Sequence, residues 1–207
     1  MNQKRWIFIG LLNVSTLLVV NAVYLPGPND FFQFAAGVRG FIELISIFLI
    51  IPLLFGLAWT ITGVLRKSKE LSMLFSYVTW TIPLMILLSV FVFGKYARTF
   101  ARETVIKSLN GQIEIIEMAK ESTGFYPKEL PNGNSSGIIG IGDVNYEAKN
   151  DSFKLKFTQN LFIGFNFEII SYVKYNEKSV FDKMKQNGNQ QELTETFDPN
   201  WKYWIFD

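Results

Sequence analysis

The sequence predicts a membrane α-helical domain with three transmembrane helices, followed by a C-terminal extracytoplasmic α+β domain. In that second domain one long helix packs on an antiparallel sheet of about four strands. Three observations predict this fold. Long apolar runs with few charges fill residues 1–96. The last of these runs passes, without a turn signal, into an amphipathic helix. Beyond Pro127 the pattern changes to short alternating segments bounded by Gly, Asn and Asp. The expected domains are therefore 1–96 and 97–207, with spans at about 6–25, 41–65 and 73–96.

Met1 to Arg5 is a short basic cap, and Trp6 to Leu25 is an apolar run long enough to cross a hydrocarbon core. One reading is a permanent span with Trp6 and Tyr24 as interface anchors. The other is a signal peptide cleaved at Val20-Asn21-Ala22. The run is longer than the apolar region usual in signals, which favours the span. Asn13 and Asn21 lie inside it and are expected to form hydrogen bonds between helices.

Pro26-Gly-Pro-Asn-Asp30 breaks the helix. Phe31, Phe32 and Phe34 follow in a segment that ends at Gly37-Val-Arg39-Gly40. It is too short to span, and its aromatics are expected to pack between spans. Phe41 to Leu65 is the second span, with Pro52 as a kink site. Glu43 is its only charge. Its place near one end predicts an interfacial group rather than a carboxylate at mid-membrane. Arg66 to Glu70 forms a basic loop. Met73 to Tyr96 is the third span, uncharged up to Lys95, with Pro83 inside it.

Charge placement orients the chain. Residues 1–96 carry 7 Lys/Arg against 3 Asp/Glu, a net +4, and residues 97–207 carry 13 against 15, a net −2. The basic clusters are Lys4/Arg5 and Arg66/Lys67/Lys69, whereas the intervening loop has only Arg39 against Asp30. The positive-inside rule then predicts a cytoplasmic N-terminus and an extracytoplasmic C-terminal domain. The acidic balance of that domain offers no field for nucleic acid. The expected partners are the lipid bilayer and other membrane or envelope proteins. Richness in Phe, Ile, Asn and Lys points to an AT-rich bacterial genome, hence to a plasma (inner) membrane and a periplasmic domain.

The chain has no Cys and no His. That excludes disulfides, thiol nucleophiles, Cys/His zinc sites, haem ligation by His and a Ser-His-Asp triad. No catalytic, cofactor or metal residue is expected. The predicted role is a non-catalytic, membrane-tethered binding or assembly module. A membrane subunit of a transport or secretion complex is the alternative, and an envelope enzyme is disfavoured.

In the helix that follows the third span, Ala101, Val105, Ile106, Leu109, Ile113, Ile116 and Ala119 form one stripe on a 100° wheel. Glu103, Lys107, Asn110, Glu114, Glu117 and Glu121 fall opposite. Gly124 is the expected left-handed C-cap, and Pro127 blocks continuation. With the third span this predicts a single rod, with Gly94 as its flex point. Residues 131–142 form a glycine-rich loop. Val144–Ala148 and Ser152–Phe157 read as a hairpin, with Phe153, Leu155 and Phe157 on one face. Gly164–Tyr175 reads as a strand with Phe165, Phe167, Ile169 and Val173 on one face. Residues 176–200 read as a polar loop with one helical turn near Val180–Met184. Trp201 to Asp207 reads as a strand buried between neighbours.

At Ile113–Leu130 the sequence resembles the pilin and pseudopilin family of type II secretion systems. The residues that carry the likeness are Ile113, Ile116, Ala119, Gly124, Tyr126, Pro127 and Leu130. The resemblance implies a half-membrane, half-amphipathic helix ending in a glycine, aromatic, proline step before a small antiparallel sheet. The family pattern has its membrane helix at the N-terminus, after a processed leader, with a glutamate just inside. Here the equivalent span is the third and holds no glutamate, so the chain is not a true prepilin. The likeness implies geometry, not pilus assembly.

Few constellations carry chemistry. Glu114, Glu117 and Glu121 make an acidic row, expected to be a solvated face. Gly137-Ile-Ile-Gly140-Ile-Gly142 resembles a phosphate loop but lacks the Lys-Ser/Thr of a Walker motif and leads into a strand. Asp182 to Glu192 does not meet EF-hand spacing. Asn134-Ser-Ser and Asn150-Asp-Ser fit glycosylation acceptors. Trp201, Tyr203, Trp204 and Phe206 are expected chiefly as core. Trp201, Tyr203 and Trp204 together with Glu114, Glu117 and Glu121 are the candidate interaction surface.

Overall fold

The structure is a computed structural model that describes residues 3–28, 32–66, 70–149, 152–160, 167–172 and 194–206. The expected helical turn near Val180–Met184, the Asp182–Glu192 interval, Phe165, Val173 and Asn150 lie outside the described residues. The chain is helix-rich, with long helices and an antiparallel sheet. It divides into two compact units, Met1–Ala22 with Val38–Arg98, and Val23–Gly37 with Thr99–Asp207.

In the first unit, α1 (Gln3–Val20) holds 18 residues, about 27 Å at the α-helical rise. Tyr24, the interface anchor expected after α1, falls in the second unit and is buried in a 3₁₀ turn, Ala22–Tyr24. The Asn21 amide donates to Leu17 O of its own helix, a bond within one helix rather than between two. Next comes α2 (Phe32–Ser46), whose backbone is helical straight through Gly37, Arg39 and Gly40, where the sequence predicts an end. A 3₁₀ turn, Ile47–Leu49, joins it to α3 (Ile50–Leu65). Pro52 explains the turn, since proline supplies no N–H for the preceding turn of an α-helix.

Two helical stretches, Gly37–Leu65 and Ser72–Thr123, are long and apolar enough to cross a membrane. The second runs through α4 (Glu70–Leu88), a π-helical segment (Ser89–Phe93) and α5 (Gly94–Thr123). Gly94 is itself helical; the irregularity lies in the five residues before it. Helices α3 and α4 cross closely at Gly56, where an added Cβ would stand 2.8 Å from Trp80 N. Beside it the hydroxyls of Thr60 and Ser76 are hydrogen-bonded. Small and hydroxylated residues at a helix crossing allow backbones to approach without a hydrophobic driving force.

In the second unit α5 presents Ala101, Val105, Ile106, Leu109, Ile113 and Ile116 as a buried stripe. Thr123 ends the helix, and Gly124 follows at φ 81°, donating to Lys120 O at 2.8 Å. The sheet has the order β1-β2-β3-β5-β4, with every adjacent pair antiparallel. Its strands are β1 (Asn145–Lys149), β2 (Ser152–Asn160), β3 (Phe167–Tyr172), the two-residue β4 (Thr194–Glu195) and β5 (Trp201–Phe206). On β2, Phe153, Leu155 and Phe157 are buried. Among the described side chains of β3, Ile170 is buried and Ile169 half-buried, so the core side of this strand is that of Ile170. Register decides this: Ile170 stands opposite Phe157 on β2 and Tyr203 on β5, so it shares their face. The strand β5 lies between β3 and β4, as a strand with aromatics on both faces requires.

The segment after α1 also belongs to this unit. Pro26 bridges to Ile138, Gly27 N donates to Gly137 O at 2.9 Å, and Gly140 N donates to Val23 O at 2.6 Å. The glycine-rich loop is thus held by the chain's own connector on one side. On its other side Gly142 N donates to Thr158 O of β2.

Candidate functional site

Charge is scarce in the first unit, which makes its buried pair conspicuous. Arg39 and Glu43 lie one turn apart on α2, so both point to the same side of the helix. The guanidinium Nε donates to Glu43 Oε1 at 2.8 Å. Arg39 is 5% exposed and Glu43 3%. Arg39 Nη1 donates to Val20 O at 2.9 Å, and Nη2 reaches Ser89 O at 3.5 Å.

Each acceptor has a local cause. Val20 is the last residue of α1, so its carbonyl lacks an intrahelical partner and carries the negative end of the helix dipole. Ser89 opens the π-helical segment, where the i→i−4 ladder is interrupted. Gly94 makes room for the side chain, because a Cβ there would stand 2.9 Å from Arg39 Nη2 and 3.0 Å from Ser89 O. Ser46 adds a turn, donating its hydroxyl to Glu43 O at 2.6 Å. One guanidinium therefore ties together the end of α1, its own helix and the π segment. A planar five-donor cation is suited to such divergent acceptors, and a lysine is not.

The sequence reading missed this pair. It assigned Arg39 to a loop and Glu43 to the headgroup region, because two glycines flank the arginine and suggest a break. The signal that could have found the pair is the i,i+4 spacing of opposite charges on an otherwise apolar helix.

The residues expected at the interaction surface separate in the second unit. Trp201 is fully buried and its indole Nε1 donates to Asn110 Oδ1 at 2.8 Å. The Asn110 amide donates in turn to Asp198 Oδ2 at 2.7 Å. Trp201 is thus a core anchor joining β5 to α5, and Asn110 belongs to that junction rather than to a free polar face. Tyr203 is half-buried beneath the Arg102 guanidinium, 4.1 Å from its ring centre. Trp204 stands opposite Ile169, the alternate register position to Trp201 and Tyr203.

Glu114 and Glu121 are exposed on α5. Glu117 is half-buried and accepts from Tyr126 Oη at 3.4 Å. Around it Lys120 lies over the Tyr126 ring, and Tyr126 and Tyr146 both meet Phe153. Tyr146 donates to Pro127 O at 2.9 Å. Burial first, then the neighbouring Tyr126 and Glu117, raises the Tyr146 phenol above its usual pKa. The acidic row thus divides between one carboxylate in a tyrosine cluster and two facing outward.

The glycine-rich loop is no anion cradle. All six amides from Gly137 to Gly142 donate to acceptors of the chain itself: Ser135 Oγ, Ser136 Oγ, Leu25 O, Val23 O, Ile138 O and Thr158 O. A phosphate nest needs free amides.

No protein-family model matches the chain, and no curated protein or solved structure is similar enough to count as a match.

Proposed function

We propose that this chain is a multi-pass integral membrane protein of the bacterial inner membrane whose second unit is a non-catalytic binding or assembly module displayed outside. The observation that carries the reading is an inverted distribution of polarity in the first unit. Ile51, Phe55 and Leu65 are 69%, 62% and 77% exposed, whereas Arg39 and Glu43 are buried. In water that arrangement is unfavourable by roughly 25 cal/mol for each Å² of apolar surface left exposed. In a bilayer it is the expected one, since lipid faces the apolar residues and charges turn inward.

The exposed apolar residues of α1, including Leu11 and Val19, support it as a third span beside the two longer helices. Basic residues near its start and at Arg66 support a cytoplasmic N-terminus. The module's partners would then be lipid and other envelope proteins, not nucleic acid. Its helix-then-sheet order supports pilin-like geometry without pilus assembly.

The test has two parts. Alkaline carbonate should leave the protein in the membrane pellet. A reporter fused after Asp207 should be active only outside the cytoplasm. Release by carbonate, or a reporter active only inside, would sink the reading.

A second reading, a membrane subunit of a transport or secretion complex, draws on a shallow apolar depression of about 370 Å³ on α3. Phe55, Ala58, Trp59 and Thr62 line it. A partner helix seated there would make the spans, not the outer unit, co-purify with other membrane proteins.

A further inference from the structure

On one face of α5 the chemistry changes within a single turn. Tyr96, Phe100, Glu103 and Lys107 recur at steps of four, three and four, so they share that face. Tyr96 is 71% exposed and Phe100 68%. The next positions on the same face are Glu103 and the exposed Lys107. Phe100 does not belong to the stripe that starts beside it at Ala101 and is buried in the second unit. A matching aromatic level lies near the start of α4. There Tyr77 meets Trp6, ring centres 5.0 Å apart, next to Lys4 and Arg5. Aromatic and basic residues together are what a membrane–water interface collects. From Tyr77 to Tyr96 the helix rises about 29 Å, close to the roughly 30 Å of a hydrocarbon core. The two aromatic levels thus stand one hydrocarbon thickness apart. Charge follows the same division. Between Glu70 and Glu103 the chain has no acidic residue, whereas Lys95, Arg98 and Arg102 fall within two turns. Arg102 covers the Tyr203 ring, Lys95 is exposed and Arg98 is half-buried.

We propose that the first two turns of α5 form a collar that binds phospholipid headgroups. Tyr96 and Phe100 lie at the boundary between acyl chains and headgroups, and Lys95 and Arg98 attract the phosphates of anionic lipids. The collar rests on the membrane reading given above and sets the height at which the bilayer surface meets the helix, between Phe100 and Glu103. Phospholipid fits both halves of this surface. An amphipathic layer suits exposed aromatic rings, and only the headgroup level offers anions beside them. Lys and Arg near a helix end keep their stems on apolar surface and extend their charges to that level. A soluble anion would satisfy the cations but leave Tyr96 and Phe100 in water.

The chain has no cysteine, so one introduced cysteine carries one probe. The full-length protein is reconstituted in vesicles of phosphatidylcholine and phosphatidylglycerol. A bimane fluorophore is attached at Tyr96→Cys, Phe100→Cys, Lys107→Cys or Lys128→Cys, the last an exposed position beyond the helix. Lipid spin-labelled close to the headgroup should quench the probe at Tyr96→Cys and Phe100→Cys several-fold more than at the other two. These are separate proteins, so either one suffices where the other does not fold. Spin-labelled phosphatidylglycerol should quench at the collar more strongly than spin-labelled phosphatidylcholine, and Lys95→Gln with Arg98→Gln should remove that difference. Equal quenching at all four positions, or a phosphatidylglycerol preference that is absent or survives the double substitution, overturns the collar. Release of the parent protein by alkaline carbonate sinks the membrane reading and the collar with it. Retention without quenching at Tyr96→Cys and Phe100→Cys sinks the collar alone.

Discussion

Arg39 Nε meets Glu43 Oε1 at 2.8 Å, and the same guanidinium reaches Val20 O and Ser89 O from one buried position. Removing one partner takes this ion pair away from the other buried charge. Arg39→Leu or Glu43→Ala should cost about 3–5 kcal/mol of stability, and replacing both by apolar residues of similar size should recover most of it. Thermal unfolding of the detergent-solubilised protein reads this. A loss in the double variant equal to the sum of the two single losses would show that the two charges are not coupled.

Gly94→Val should destabilise the same cluster, because its side chain would occupy the space of Arg39 Nη2. Its effect should shrink markedly when Arg39 is already Leu. Additive losses in that double-mutant cycle would contradict the contact.

Gly140→Ala should be among the most damaging single-methyl additions in the second unit. Its Cβ would overlap Val23 O, a backbone atom that cannot rotate away. A loss of about 1–3 kcal/mol is expected from forcing the connector and loop apart. Urea unfolding followed by tryptophan fluorescence measures it, and an unchanged midpoint would refute the close approach.

Trp201→Phe keeps most of the ring but removes the donor to Asn110 Oδ1. Losing one hydrogen bond to a half-buried acceptor costs about 0.5–1.5 kcal/mol. Trp201→Ala should cost more, about 3–5 kcal/mol, through the cavity it leaves. If both variants unfolded like the parent, Trp201 would not be the anchor of β5.

Tyr146 sets a pH dependence at the alkaline end. Its folded pKa is raised, so the native state holds the phenolic proton more tightly than the unfolded chain. Its contribution is complete below the unfolded value of about 10 and is lost as pH rises through the raised folded value. Stability should therefore fall more steeply in that window for the parent than for Tyr146→Phe. Identical alkaline slopes would count against the burial of this phenol.

The legibility of the chain followed its periodicities. The stripe from Ala101 to Ile116, the stop at Gly124 and the alternation of Phe153, Leu155 and Phe157 could be read because each is a local repeat that matches one element's geometry. The face of β3 could not, since Phe167, Ile169 and Ile170 offer apolar residues on both sides and only pairing with Phe157 chooses between them. Trp201 was readable as core, but its partner Asn110 was not, because the two lie 91 residues apart.

The sequence by itself determined which stretches are apolar, where helices give way to strands, and that chemistry based on His or Cys is excluded. Those properties reside in composition and short-range period. Only the tertiary structure decided that Arg39 and Glu43 form a buried clamp rather than a loop cation and an interfacial carboxylate. Burial depends on which helix ends, here Val20 and Ser89, bring unsatisfied carbonyls to the guanidinium, and no local pattern specifies that meeting.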